Sequence, residues 1–355
     1  MSNCCDYLGP LESGEVDIVH ISRGVSRRDL LRGAVGSAGL AAMGGIVGPA
    51  WGQQERIRLA FCSQLLCVIP YEATRAAGFF AEEGLDVELV YTRGGSAALQ
   101  ALNGGAVDYA ATSFDAALNA FSSGADIVRF ASTGRLPLFA LATSPGLAED
   151  INSVAKLKGR TIGVSALGNA DHAFMLYLLD RVGVNPDSVE FATVGTNLYD
   201  AIRLGQLDAG MVQEPALSLL QERGSRVLVN GMNIDDAREY LGGAYEFMGV
   251  AVRRDELEAR KEQMQAVARA LGKGLKHVQS APPAQLVESL PAEIITGGDR
   301  DRLAQTLKLY RSSLYPETAT MNLDAMQRVI DVNRAAGGRG GDVDLNNIAA
   351  PNVVS

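Results

Sequence analysis

The side chains able to do covalent chemistry are few in this chain, and they are not spaced for it. Three histidines and four cysteines occur in 355 residues. A Ser or Cys nucleophile needs a histidine base and an acid to orient that base. No G-x-S-x-G elbow, H-E-x-x-H pair, P-loop or Cys/His group with zinc spacing is present. The residues therefore predict no catalytic group, no metal site and no cofactor. They offer instead polar groups suited to holding something. Glu214 stands beside Pro215 at the end of an apolar run, where an acid must be solvated, paired or facing a ligand. Asp171 either caps a helix or meets an amino or amidine group, and the adjacent His172 either faces the same place or lies on the helix surface. Cys62 and Cys67 are open to three readings: a disulfide, two separate thiols, or a contact to a metal or ligand. The disulfide requires the chain to turn back on itself, because an extended strand holds residues five apart beyond bonding range.

The formal net charge is -9 and the isoelectric point is near 5.0. Nucleic acids are bound by clustered Lys and Arg, and no basic stripe occurs, so a nucleic-acid partner is excluded. The first residues are read as an address rather than as fold. Ser26-Arg27-Arg28-Asp29-Leu30-Leu31 precedes an apolar, Gly- and Ala-rich run from Gly33 to Val47, and Ala50-Trp51-Gly52 provides small residues for cleavage. This resembles a twin-arginine export signal over residues 1–52. The run is shorter than the roughly twenty apolar residues a spanning helix needs. No cysteine follows it to take a lipid, so the expectation is a soluble periplasmic protein, exported and without an anchor.

The elements that must position the polar groups alternate. Arg56 to Phe61 reads as a first strand, Pro70 to Phe80 as a helix, and Glu83 to Val90 as a turn feeding a second strand. The order strand, helix, strand predicts α/β units with a mostly parallel sheet flanked by helices. A repeat at a spacing of one hundred residues strengthens this: Gly95, Ser96, Ala101, Leu102, Gly105, Val107, Asp108 and Ala116 are matched by Gly195, Thr196, Ala201, Ile202, Gly205, Leu207, Asp208 and Ala216. Ser96 and Thr196 can cap a helix, and Gly105 and Gly205 can end it in the left-handed conformation. Two lobes of like topology follow. Apolar runs at Arg129 to Thr143 and Tyr245 to Val252 serve as crossovers between them, giving a two-strand hinge. The expected divisions are 53–140 and 245–336 for the first lobe with its C-terminal helices, 141–244 for the second, and a poorly ordered Gly- and Asn-rich tail at 337–355.

Several segments in this order carry a family resemblance. They are Pro70-Tyr71-Glu72-Ala73, Ala77 to Val87, Ala101-Leu102 with Gly105-Ala106-Val107-Asp108, Leu157-Lys158-Gly159-Arg160-Thr161-Ile162-Gly163-Val164, and Gln213-Glu214-Pro215. Over residues 55 to 280 the chain resembles the NMT1/THI5-like and SsuA-like substrate-binding proteins. The resemblance implies the type II periplasmic-binding-protein fold. It also implies uptake of nitrate, sulfonates, taurine, thiamin pyrimidine precursors or related heteroaromatics, a small-molecule ligand, and an ABC permease and its ATPase as partners of a monomeric receptor. One departure weakens transfer of those ligands: many members place an aromatic just after the first strand, where this chain has Cys62-Ser63-Gln64-Leu65-Leu66-Cys67. Two alternatives remain open, a pyrimidine-precursor synthase-like enzyme on the same fold and a solute-loaded partner of a signalling receptor.

Ligands of open α/β sheets sit outside the carboxyl ends of the strands, where helix N-termini present unpaired N–H groups. That rule selects Ser63 and Gln64 with Cys62, then Gly94, Gly95 and Ser96, then Ser113 and Asp115 with Thr112, in the first lobe. In the second it selects Ser165, Asn169, Asp171 and His172, then Thr196 with Asn197, then Gln213 and Glu214. Tyr71, Phe114 and Phe174 are the aromatics placed to stack on a planar ring, with core packing the commoner fate for Phe174. Helix N-termini and Arg93 favour an anion, whereas the three acids favour a donor-rich group. A ligand with both characters fits better than a bare inorganic anion.

Overall fold

The computed structural model describes residues 56–354 except 64, 195–196, 293–294 and 296–298, so the export signal, Gln64 and Thr196 lie outside the described residues. In chain order the strands are β1 (Ile57–Cys62), β2 (Val87–Thr92), β3 (Tyr109–Ser113), β4 (Ile127–Gly134), β5 (Ala140–Thr143), β6 (Thr161–Val164), β7 (Glu190–Thr193), β8 (Ala209–Val212), β9 (Val227–Asn230) and β10 (Met248–Arg253). The helices are α1 (Leu65–Ala76), α2 (Phe79–Glu82), α3 (Gly95–Asn103), α4 (Phe114–Ser122), α5 (Ala170–Arg181), α6 (Leu198–Arg203), α7 (Ala216–Gln221), α8 (Ile234–Asp236), α9 (Lys261–Ser280), α10 (Pro283–Ser289), α11 (Arg300–Leu314) and α12 (Leu323–Ala335).

Two five-stranded sheets form, in the orders β2-β1-β3-β10-β4 and β7-β6-β8-β5-β9. The orders are the same pattern, so each lobe is a copy of one plan. The internal repeat explains the copy at atomic level. Asp108 accepts from the Arg58 N–H at 2.7 Å and returns its own N–H to the Arg58 carbonyl at 2.9 Å. Asp208 makes the same exchange with Thr161, at 2.8 and 3.0 Å. Each aspartate thus clamps the start of the strand beside its lobe's central one, β1 or β6. Gly105 and Gly205 turn the preceding helix with φ of 72° and 70°, which other residues adopt only under strain.

The sheets are mixed, but four of the five strands in each run the same way, in keeping with the mostly parallel expectation. β10 runs antiparallel to β3 and β4, and β5 runs antiparallel to β8 and β9. The cause is the crossover: β5 and β10 are the first strands after the chain passes between lobes, and each enters its sheet from the opposite end. The first helix also starts earlier than expected, at Leu65, with Pro70 inside it. Proline was read as a helix start, which its fixed φ usually marks.

The tail is a correction. Instead of lying loose, residues 339–354 form short 3-10 turns, and Ile348 and Val353 are buried. The Arg129 N–H donates to the Ile348 carbonyl and the Ala350 N–H donates to the Arg129 carbonyl, both at 2.8 Å. These bonds satisfy β4, which as an edge strand has unpaired backbone groups. The glycines there permit contact rather than motion: a Cβ on Gly340 would meet Leu118 at 2.8 Å, and one on Gly341 would meet the Arg334 backbone at 2.4 Å. The C-terminal helices are likewise not confined to the first lobe. α12 packs on α4 of one lobe and α5 of the other, while α11 reaches Glu222, Asn230 and Met232 of the second.

Candidate functional site

A cavity of about 570 Å³ opens between the lobes at the carboxyl ends of the central strands. From the first lobe it is lined by Cys62 and Ser63 after β1, by Arg93 to Ser96 after β2, and by Thr112 and Ser113 at the end of β3. From the second come Ser165 after β6, Asn169 to Asp171 at the start of α5, and Val212 to Glu214 after β8. Phe139 and Phe247, one from each crossover, meet edge-on with ring centres 5.8 Å apart and also line the cavity.

Local chemistry fixes what each wall presents. Ser63 donates from both N–H and hydroxyl to the Thr92 carbonyl, at 3.0 and 2.6 Å, which fixes it at the cavity wall. The α3 N-terminus follows, with Gly94 as its cap and no side-chain bond, so Ser96 is not the cap expected of it. Gly95 is required by packing, since a Cβ there would sit 2.0 Å from Thr112 Oγ1. Thr112 is 1% exposed, and its hydroxyl has no hydrogen-bond partner among the described residues. A buried unpaired hydroxyl is costly, and this one lies under the Gly95 backbone at the cavity wall. Ser113 caps α4, accepting from the Ala116 N–H at 3.2 Å.

The second lobe presents acids. Asp171 accepts from the Ser165 N–H at 2.5 Å and hydroxyl at 2.8 Å, and Asn169 Nδ2 donates to that hydroxyl at 3.0 Å. Burial pushes the Asp171 carboxyl above its ordinary range, and the bonds from Ser165 oppose the shift. Glu214 accepts from the Ser218 N–H at 3.1 Å and hydroxyl at 3.0 Å, ahead of α7. Burial also raises Glu214, against the pull of the Ser218 bonds, the Tyr310 hydroxyl and the Arg302 charge. Asp171 is therefore held by the loop after β6 and Glu214 by α7, and both still border the cavity.

The structure thus brings together Ser63, Gly94, Gly95, Ser96, Ser113, Ser165, Asn169, Asp171, Gln213 and Glu214 of the expected set. Others lie elsewhere. Tyr71 is fully buried, stacks on Phe61 at 5.3 Å and hydrogen-bonds Thr133 Oγ1 at 2.7 Å, because α1 turns that face into the core. Asp115 points away from the cleft and accepts from the Tyr245 hydroxyl at 2.7 Å and Asn333 Nδ2 at 2.9 Å. Burial raises its carboxyl despite those bonds. His172 is outside the cavity lining: its Nδ1 accepts from the Gly168 N–H at 3.1 Å and its ring meets Phe191 edge-on at 4.7 Å. Burial lowers the imidazole's proton affinity. Phe114 and Phe174 are core residues. Cys62 and Cys67 are thiols, not a disulfide.

Sequence reasoning missed Asn119, Phe139, Tyr199, Met211, Phe247 and Met248 as lining residues. The two phenylalanines had a usable signal, since each sits where an apolar crossover passes between lobes. Asn119 had none: it belongs to α4, and only the approach of the lobes lets its Nδ2 donate to the Gly168 carbonyl at 3.2 Å.

This architecture, two lobes of one plan gripping a cleft at their strand ends, is the periplasmic-binding-protein fold. Solved structures share it: a protein of Bordetella bronchiseptica RB50 superposes with a TM-score of 0.72 at 25% identity, covering 84% of this chain and 95% of that one. The alkanesulfonate-binding protein SsuA from Xanthomonas axonopodis pv. citri, bound to MOPS, gives 0.63 at 20% identity over 79% and 93%. The periplasmic nitrate-binding protein NrtA from Synechocystis PCC 6803 gives 0.65 at 12% identity over 85% and 87%. The chain belongs to the NMT1/THI5-like family, whose model matches residues 68–285. No curated protein matches the chain.

Proposed function

We propose that this protein is the solute-binding component of an ABC-type importer, working in the periplasm as a monomer and handing a small polar molecule to a membrane permease driven by its ATPase. The observation that carries the reading is convergence: Ser63, Ser96, Ser165 and Glu214, far apart in sequence and from both lobes, border one hollow. Its volume falls within the roughly 300–1,000 Å³ of small-molecule sites. The relatives with this fold include sulfonate- and nitrate-binding proteins, and among the described residues no helix is long and apolar enough to cross a membrane. Binding without turnover fits the site, because the serines that engage its acids, Ser165 and Ser218, have no histidine base among the lining residues.

The two walls differ in sign. The first lobe offers the α3 N-terminus, the Thr112 hydroxyl and Arg93; the second offers the Asp171 and Glu214 carboxyls. A ligand with an acidic group at one end and an amine or amidine at the other satisfies both, whereas nitrate satisfies one. Thermal-shift screening followed by calorimetry, against aminosulfonates, amino-substituted pyrimidines, simple sulfonates and nitrate, tests this. Saturable one-to-one binding of the two-ended compounds is expected. Preference for nitrate overturns the ligand class, and chemical conversion of a bound compound overturns the transport reading in favour of an enzyme.

A further inference from the structure

Cys62 ends β1 and Cys67 lies in the first turn of α1, so the two do not share one extended strand. That removes the obstacle an extended strand would impose on a bond between residues five apart. Both side chains are buried, 6% and 2% exposed, and both line the cavity. The Cys62 thiol and burial together hold the Cys67 thiol well above its ordinary range, so Cys62 and not Cys67 supplies the first thiolate. Among the described residues no group of three or more His, Cys, Asp or Glu is placed to hold a metal, so the pair has no third such ligand. Two thiols of adjoining elements on the wall of one open cleft are instead arranged for thiol–disulfide exchange.

We propose that Cys62 and Cys67 are a disulfide-forming pair inside the cleft, oxidised by a small disulfide that enters it. Cys62, the more exposed of the two, loses its proton and attacks one sulfur of the oxidant RS–SR. A Cys62–SR mixed disulfide forms, and the displaced RS⁻ takes up the proton. Cys67 then loses its proton and attacks the Cys62 sulfur, expelling a second RS⁻ that is protonated in turn. Two protein thiols are oxidised to one disulfide, and one RS–SR is reduced to two RSH. The bond removes two S–H groups from the cavity wall and ties the end of β1 to α1 beside Ser63, so the reduced and oxidised proteins present different surfaces to a ligand. This does not depend on the transport reading, only on the shared cavity.

The test uses the full chain, reduced, desalted and incubated with hydroxyethyl disulfide, then denatured, alkylated and mapped by peptide mass spectrometry, which separates this pair from Cys4 and Cys5. The expected result is a peptide in which Cys62 and Cys67 are linked, lighter by two hydrogens, protected from alkylation, and restored by dithiothreitol. Because the wild-type chain gives this reading by itself, it stands even where a variant folds poorly. Cys67→Ser should stop at the Cys62 adduct, and Cys62→Ser should leave Cys67 alkylatable. Alkylation of both cysteines in the treated wild type, or separate adducts on each, overturns the proposal.

Discussion

The acids of this molecule illustrate how one residue type serves opposite ends. Glu214 borders the cavity and Glu246 is buried beside Arg129, and burial raises both. For Glu214 the expectation concerns binding: Glu214→Gln keeps a side-chain oxygen for Ser218 while removing the charge. Charged hydrogen bonds contribute about 1.5–3 kcal/mol, so affinity for an amine-bearing ligand should fall roughly 10- to 100-fold by calorimetry, with little change in melting temperature. For Glu246 the expectation concerns stability. Its carboxyl is raised from 4.5 to about 7, chiefly by burial, with Arg129 pulling the other way. A carboxyl that holds its proton more tightly when folded stabilises the protein below the unfolded value and loses that contribution as pH rises through the folded one. Stability should therefore decline between pH 4.5 and about 7, by at most about 3 kcal/mol from this group. Urea unfolding at several pH values should show Glu246→Gln flattening that decline. Residues at strand ends, such as Ser63 and Ser165, were legible because topology alone sends them to the cleft. Tyr71 and Asp115 were not, since each lies on a helix one turn from the cleft and only packing decides which face turns inward.

At the scale of elements, repetition was the most readable feature. Asp108 and Asp208 recur because each lobe needs the same clamp at the start of β1 or β6, and a repeated constraint leaves a repeated residue. What the sequence concealed was reversal and contact. Strand direction after a crossover depends on the lobe already built, and no local pattern in β5 or β10 encodes it. The glycine-rich tail was misread because glycine serves both motion and close approach, and composition does not separate the two. Gly341→Ala distinguishes them: its new Cβ would lie 2.4 Å from the Arg334 backbone, where neither partner can move cheaply. Overpacking of this kind costs about 1–3 kcal/mol. A lowered urea midpoint with unchanged slope is the expected outcome, whereas a loose tail would leave unfolding untouched.

At the scale of the whole molecule, the lobes are joined by more than their two crossovers. The crossover residues Phe139 and Phe247 pack edge-on against each other. α11 adds a clasp: Asn230 Nδ2 donates to the Tyr310 hydroxyl at 3.0 Å, Ser313 Oγ donates to the Met232 carbonyl at 2.7 Å, and Arg302 pairs with Glu222 at 2.8 Å. These contacts differ in weight. Glu222 is 59% exposed at its side chain, and such a pair contributes about 0–1 kcal/mol, so Arg302→Ala should alter little. Tyr310 is 5% exposed and its hydroxyl helps to lower the carboxyl of the cavity-lining Glu214, linking ligand site and clasp. Tyr310→Phe leaves the Asn230 amide short of a partner, at a cost of about 1 kcal/mol. If α11 holds the lobes in the arrangement seen here, that loss shifts the population toward a more open form by roughly fivefold. Small-angle scattering should then give a larger radius of gyration for ligand-free Tyr310→Phe than for the wild type, with the difference shrinking when a two-ended ligand bridges the walls. Equal radii in both states would mean that the crossovers alone set the angle between the lobes.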